Sequence, residues 1–243
     1  MSVSTGIIGR VWLAFGLAAA LPAGAAQPEF TEFVIEAGFQ VEQPVLSASL
    51  LDDDGRQIVL AGHDEQHRQR MSVYSIDTTS ADDARPLLTM TPGPNLIAYD
   101  VGRLGERDAL YFIEPGRVVR YDFGAGDFDV VTKIKTIYGQ ERTGEIAPID
   151  FIRDVNDDGR DDIVVADTAG YRVRLQRADG GLGEETLLQE SSSMTVSGGV
   201  VSFESRPLVI GDMNFDSLPD LAVWRGDSLR VYPQLTGDKF QGR

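Results

Sequence analysis

The sequence predicts an all-β chain, a β-propeller of four-stranded blades with about four visible units, incomplete or part of a larger propeller. Three observations predict it. An acidic nine-residue loop recurs along the chain, an apolar strand-type run follows each copy, and a second, alternating run follows that. No segment carries the period of an amphipathic helix.

The best copy is Asp154-Val155-Asn156-Asp157-Asp158-Gly159-Arg160-Asp161-Asp162, with side-chain oxygens at positions 1, 3, 5 and 9 and glycine at 6. That is how a short loop wraps a hard cation such as Ca²⁺. A second copy, Asp212–Asp220, begins 58 residues on (212 − 154) and has Ser217 at position 6. Going back 54 residues (154 − 100), Asp100–Asp108 keeps the acids at positions 1 and 9 and the glycine at 6, but has lost the oxygens at 3 and 5. A last trace is Asp52-Asp53-Asp54-Gly55, without the final acid.

The first strand after each loop is expected at Ile58–Ala61, Ala109–Ile113, Ile163–Ala166 and Leu221–Trp224. The second is expected at Met71–Ile76, Val118–Phe123, Tyr171–Gln176 and Leu229–Tyr232. Apolar and polar residues alternate strictly in Tyr171–Gln176, the mark of a half-buried strand. Glycine turns at 124–128, 180–183 and 237–240 follow, and runs such as Val130–Ile137 and Gly198–Phe203 fill the gaps. The units are placed at about 45–97, 98–150, 151–208 and 209–243 of a repeat domain spanning 27–243, with Phe30–Gln43 as an outer strand. One four-stranded unit cannot bury both its faces, so neighbours must stack.

The two complete loops resemble those of FG-GAP/VCBS-type repeats, the propeller units of integrin α-chains and of many secreted bacterial proteins. The shared pattern is Asp-x-Asn/Asp-x-Asp-Gly-x-x-Asp before a short aliphatic strand. The resemblance implies a first ion site from the side chains of Asp154, Asn156, Asp158 and Asp162 with the carbonyl of Arg160. It implies a second from Asp212, Asn214, Asp216 and Asp220 with the carbonyl of Leu218. Oxygen-only ligation suits structural Ca²⁺ rather than Zn²⁺. Ser217 departs from the pattern where a left-handed backbone favours glycine. An EF-hand is excluded because position 12 is Val165 or Val223, within β-branched runs, where that motif needs glutamate. Propellers of this type usually have about seven blades, so four units point to an incomplete ring.

A net charge of −16 over 243 residues opposes nucleic acid and anionic membranes as partners and favours cations. With no cysteine, disulfides and thiolate sites are excluded, as is a lipid-modified N-terminus. Arg10, the apolar run Val11–Leu21 and Pro22-Ala23-Gly24-Ala25-Ala26 read as a secretory signal peptide over residues 1–26. The run is shorter than the ~20 residues of a spanning helix. Export to the periplasm or beyond is expected, with no membrane span after cleavage.

No catalytic constellation emerges. His63-Asp64-Glu65-Gln66-His67 has its glutamate one place late for a zincin and lies between strands, so a polar loop is expected. There is no nucleophile elbow and no phosphate loop, and Trp224 and Tyr232 are expected in the core. The expected function is a non-catalytic, calcium-binding surface for protein or glycan contact. The alternative is the propeller portion of a secreted polysaccharide-acting enzyme.

Overall fold

A computed structural model describes residues 10–14, 32–51, 55–76, 85–135, 146–167, 169–190, 193–197, 200–204, 208–225, 227–235 and 239–241. Among them there is no helix, and successive strands pair antiparallel into several small sheets. This is an all-β, β-propeller-like architecture. The chain divides into two compact units, Met1–Pro92 and Gly93–Arg243.

In the first unit, Arg56–His63 and Gln69–Ile76 form the central pair of sheet I, with Arg85–Met90 on one side and Leu46–Ala48 and Gln40–Val41 on the other. Side-chain alternation puts Ile58, Leu60 and Tyr74 on one face, where they pack with Ile35 and Phe39. Arg10–Ala14, at the start of the apolar N-terminal run, pairs with Glu32–Glu36. The rest of the 1–26 segment and the acids Asp52–Asp54 lie outside the described residues.

The second unit holds three sheets with a common plan. Sheet II runs Ala98–Gly102, Ala109–Glu114, Arg117–Asp122 and Asp127–Lys133, with Ala147–Pro148 added parallel to the outer side of Ala98–Gly102. Sheet III runs Ile152–Arg153, Asp162–Asp167, Gly170–Arg174 and Thr186–Gln189. Sheet IV runs Leu208–Gly211, Asp220–Trp224 and Leu229–Tyr232. In sheets III and IV the acidic loop joins the first strand to the second.

The core lies between these sheets. Tyr111, Ile113 and Val118 of sheet II pack with Ile152, Ile163 and Val165 of sheet III. On its other face sheet III offers Val164, Ala166, Tyr171 and Val173 to Leu221, Val223 and Tyr232 of sheet IV. Glu190, just past sheet III, reinforces this second contact. It accepts bonds from Arg225 at 2.6 and 2.7 Å, and the Tyr232 hydroxyl donates to the Gln189 carbonyl at 2.6 Å.

Tyr232 is therefore a core residue, 2% exposed, but the same expectation fails for Trp224, which is 53% exposed. The cause is register. Trp224 pairs with Leu229, on the sheet face that carries Val209 and Val231, opposite Leu221 and Val223. All four of those outward residues are partly exposed.

Asp100–Asp108 also departs from the loop plan. Asp100 lies within a strand, and its carboxylate accepts the N–H groups of Val101, Phe151 and Ile152, each at 2.8 Å. Gly102 makes the approach possible, because a Cβ there would sit 2.3 Å from Ile152 Cγ2. Asp161 in turn accepts the Arg103 N–H at 2.6 Å. Sheet II is thus fastened directly to the entry of sheet III. Burial pushes the Asp100 carboxyl up to about 7, while the three N–H donors pull it down.

Replacing Asp100 with alanine strands the interior N–H groups of Phe151 and Ile152. Urea denaturation should show a loss of about 2–5 kcal/mol. A stability equal to that of the parent would show that these bonds do not hold the sheets together.

Candidate metal centre

Two loops of different sequence fold in one way. In the first, Asp154 accepts the N–H of Asp158 at 3.3 Å on one oxygen and of Gly159 at 2.8 Å on the other. Asp158 accepts the Arg160 N–H at 2.9 Å and the Asn156 side-chain amide at 2.9 Å. Asp162, with no solvent exposure, accepts Val155 N–H at 3.1 Å and Gln176 N–H at 2.7 Å.

Each of these bonds recurs in the second loop. Asp212 accepts Asp216 N–H at 3.1 Å and Ser217 N–H at 3.0 Å. Asp216 accepts Leu218 N–H and the Asn214 amide, both at 2.9 Å. Asp220 accepts Met213 N–H and Gln234 N–H, both at 3.0 Å. Short Asp and Asn side chains build this fold because they reach backbone donors two to five residues away.

The backbone agrees. Positions 4 and 6 are left-handed in both loops, at φ 59° and 82° for Asp157 and Gly159 and at 64° and 68° for Phe215 and Ser217. Glycine takes that geometry freely, whereas Ser217 and Phe215 are strained by it. Phe215 is also 90% exposed at the loop tip.

The loops differ in setting. Asn156 is buried and Asp154 and Asp158 are half-buried, whereas Asp212, Asn214 and Asp216 are exposed. Burial pushes Asp162 up to about 7, with Asp158 and Asp154 adding like charge and the Gln176 and Val155 N–H groups opposing. A cleft of about 420 Å³ separates the loops, lined by Asp154 and Asp157 on one side and by Ile210, Asp212, Ser217 and Pro219 on the other.

The sequence reading missed Gln176 and Gln234. Each follows its position 9 aspartate by 14 residues and is buried. Gln176 also donates to the carbonyls of Arg103 at 2.9 Å and Asp161 at 2.8 Å, and accepts Gly105 N–H at 2.8 Å. One amide side chain thereby joins the connection within sheet II to the first loop. The repeated spacing was the available signal.

Among the described residues, no three carboxylate or imidazole side chains converge into a metal-holding cluster. Each loop instead offers three carboxylates, an amide oxygen and a backbone carbonyl, and its carboxylates are occupied by N–H donors. The donor chemistry fits a hard cation, being oxygen throughout. Asn156 Oδ1 adds to the fit, since it is buried and has no hydrogen-bond partner. In the segment 63–67, His63 bonds Glu42 at 2.6 Å, while Asp64 binds the turn through Gln66 N–H at 2.9 Å and Arg68 N–H at 3.0 Å.

A family model for an FG-GAP-like repeat matches residues 154–223, from the first residue of the first loop into the strand after the second. The chain carries an FG-GAP-like repeat. Neither a curated protein nor a solved structure matches it. The FG-GAP-like segment takes in both acidic loops, most of sheet III and the central strand of sheet IV.

Replacing Ser217 with glycine should relieve the left-handed strain and raise stability by about 0.5–1 kcal/mol, after the added freedom of the unfolded chain is subtracted. A destabilised variant in thermal melts would contradict the strain.

Proposed function

We propose that this FG-GAP-type repeat protein is an exported, non-catalytic module. It binds structural Ca²⁺ in its two loops and presents a surface for protein or glycan contact. The first ion takes the side chains of Asp154, Asn156, Asp158 and Asp162 and the carbonyl of Arg160. The second takes Asp212, Asn214, Asp216 and Asp220 and the carbonyl of Leu218. The observation that carries the reading is the set of six internal bonds and two left-handed positions common to both loops across different sequences. Merely solvated turns have no reason to conserve six bonds and two left-handed positions.

A structural role for the ion follows from its place. Each loop sits between the first two strands of a sheet and is tied to the end of the third through Gln176 or Gln234. An ion there steadies a sheet. Support for a contact role comes from Phe215 at the loop tip, the cleft between the loops and the apolar outer face of sheet IV. Large exposed apolar side chains of this kind mark interaction surfaces. The signal-like N-terminus and the acidic surface support export into a calcium-containing compartment, where modules of ~10⁻⁴–10⁻³ M affinity stay filled.

At a hundredfold excess over Kd, calcium should add about 2.7 kcal/mol of stability per site. Melting in calcium should therefore exceed melting in chelator, and Asp158→Ala should remove most of the first site's share. Identical curves with and without chelator would sink the calcium reading.

A further inference from the structure

We propose that Arg160 is a tethered counter-cation, which holds the ion-free first loop together and is released by Asp158 when a divalent cation enters. The exchange rests on the calcium reading above; the counter-cation role does not.

The two loops share six internal bonds but differ in the residue at position 7. Leu218 stands where the first loop has Arg160. The Arg160 guanidinium makes an ion pair with Asp158 Oδ2, the oxygen that also accepts the Asn156 amide at 2.9 Å. Its Nε donates to the Gln176 carbonyl at 3.3 Å. The guanidinium is thus anchored at both ends, to the loop and to the end of the third strand of sheet III. Asp216 has the same amide and backbone partners, with no side-chain cation among them.

The charge balance gives the arrangement its purpose. Asp154, Asp158 and Asp162 share nine residues, and Asp162 has no contact with solvent. Without a cation these charges repel in surroundings less polar than water. Arg160 supplies one positive charge to the carboxylate at position 5. The same contact commits Asp158 Oδ2 to two donors, so that oxygen turns to an entering ion only after the guanidinium leaves. Because Arg160 hangs from the residue whose carbonyl belongs to the ligand set, its side chain can swing to solvent while its backbone stays in place. In the exposed second loop the position 5 carboxylate is bonded by the Leu218 N–H and the Asn214 amide, so its charge is left to an entering ion.

The test makes each loop copy the other, with Arg160→Leu and Leu218→Arg in the full chain, and adds Arg160→Lys. Calcium titration calorimetry and thermal melts in chelator are the two readouts. Arg160→Leu should lower the melt in chelator and bind calcium about three- to tenfold tighter, since a competing partly exposed ion pair is gone. Arg160→Lys should fall between the two, and Leu218→Arg should weaken calcium binding at the second loop. A role in packing alone would lower the melt without tightening calcium, and that outcome overturns the exchange, as does weakened binding in Arg160→Leu. Heat of calcium binding absent from every protein would sink the calcium reading and the exchange with it. The chelator melt then still decides the counter-cation role: a melt lowered in Arg160→Leu and largely restored in Arg160→Lys upholds it, whereas an unshifted melt, or an equal loss in both variants, overturns it.

Discussion

Two buried carboxylates set the geometry of this repeat. Asp162 and Asp220 have no solvent exposure, and each accepts one N–H from the start of its loop and one from the end of the third strand. A buried carboxylate is costly unless it is hydrogen-bonded, so these donors and the acid are needed together. The bonds fix where the loop begins, where the second strand starts and how the third strand ends. The left-handed residues, the Asp154 and Asp212 caps and the prospective ligand set all follow from that closure.

Contact between neighbouring sheets is a separate matter, and it is solved in more than one way. Between sheets II and III, Asp100 has left the loop role and accepts the N–H groups of Phe151 and Ile152. Between sheets III and IV the polar link is Glu190 with Arg225, while Asp154 remains engaged with its own loop. The position 1 acid thus closes its own loop in sheet III, whereas within the first strand of sheet II it fastens the next sheet. Aliphatic packing on both faces of sheet III does the rest.

Much of this was legible in the sequence. The recurring acid–glycine pattern and the apolar runs located the loops and the strands after them. Strand ends were displaced by a residue or two, since position 9 is itself the first strand residue in sheets III and IV. The reading failed where the decisive partner was distant. Asp100 looked like a worn ligand because its donors lie 51 and 52 residues away. Trp224 looked like core because alternation shows which residues share a face but not which face is covered. Gln176 and Gln234 carry no motif, and only their common offset from the aspartates betrays them.

Hydrogen exchange in Asp220→Ala tests the central claim most directly, with the first loop as internal control. Loss of the carboxylate should speed exchange at Met213 and Gln234, while Val155 and Gln176 remain as slow as in the parent. Unchanged protection at Met213 and Gln234 would contradict the claim that the position 9 carboxylate closes the loop.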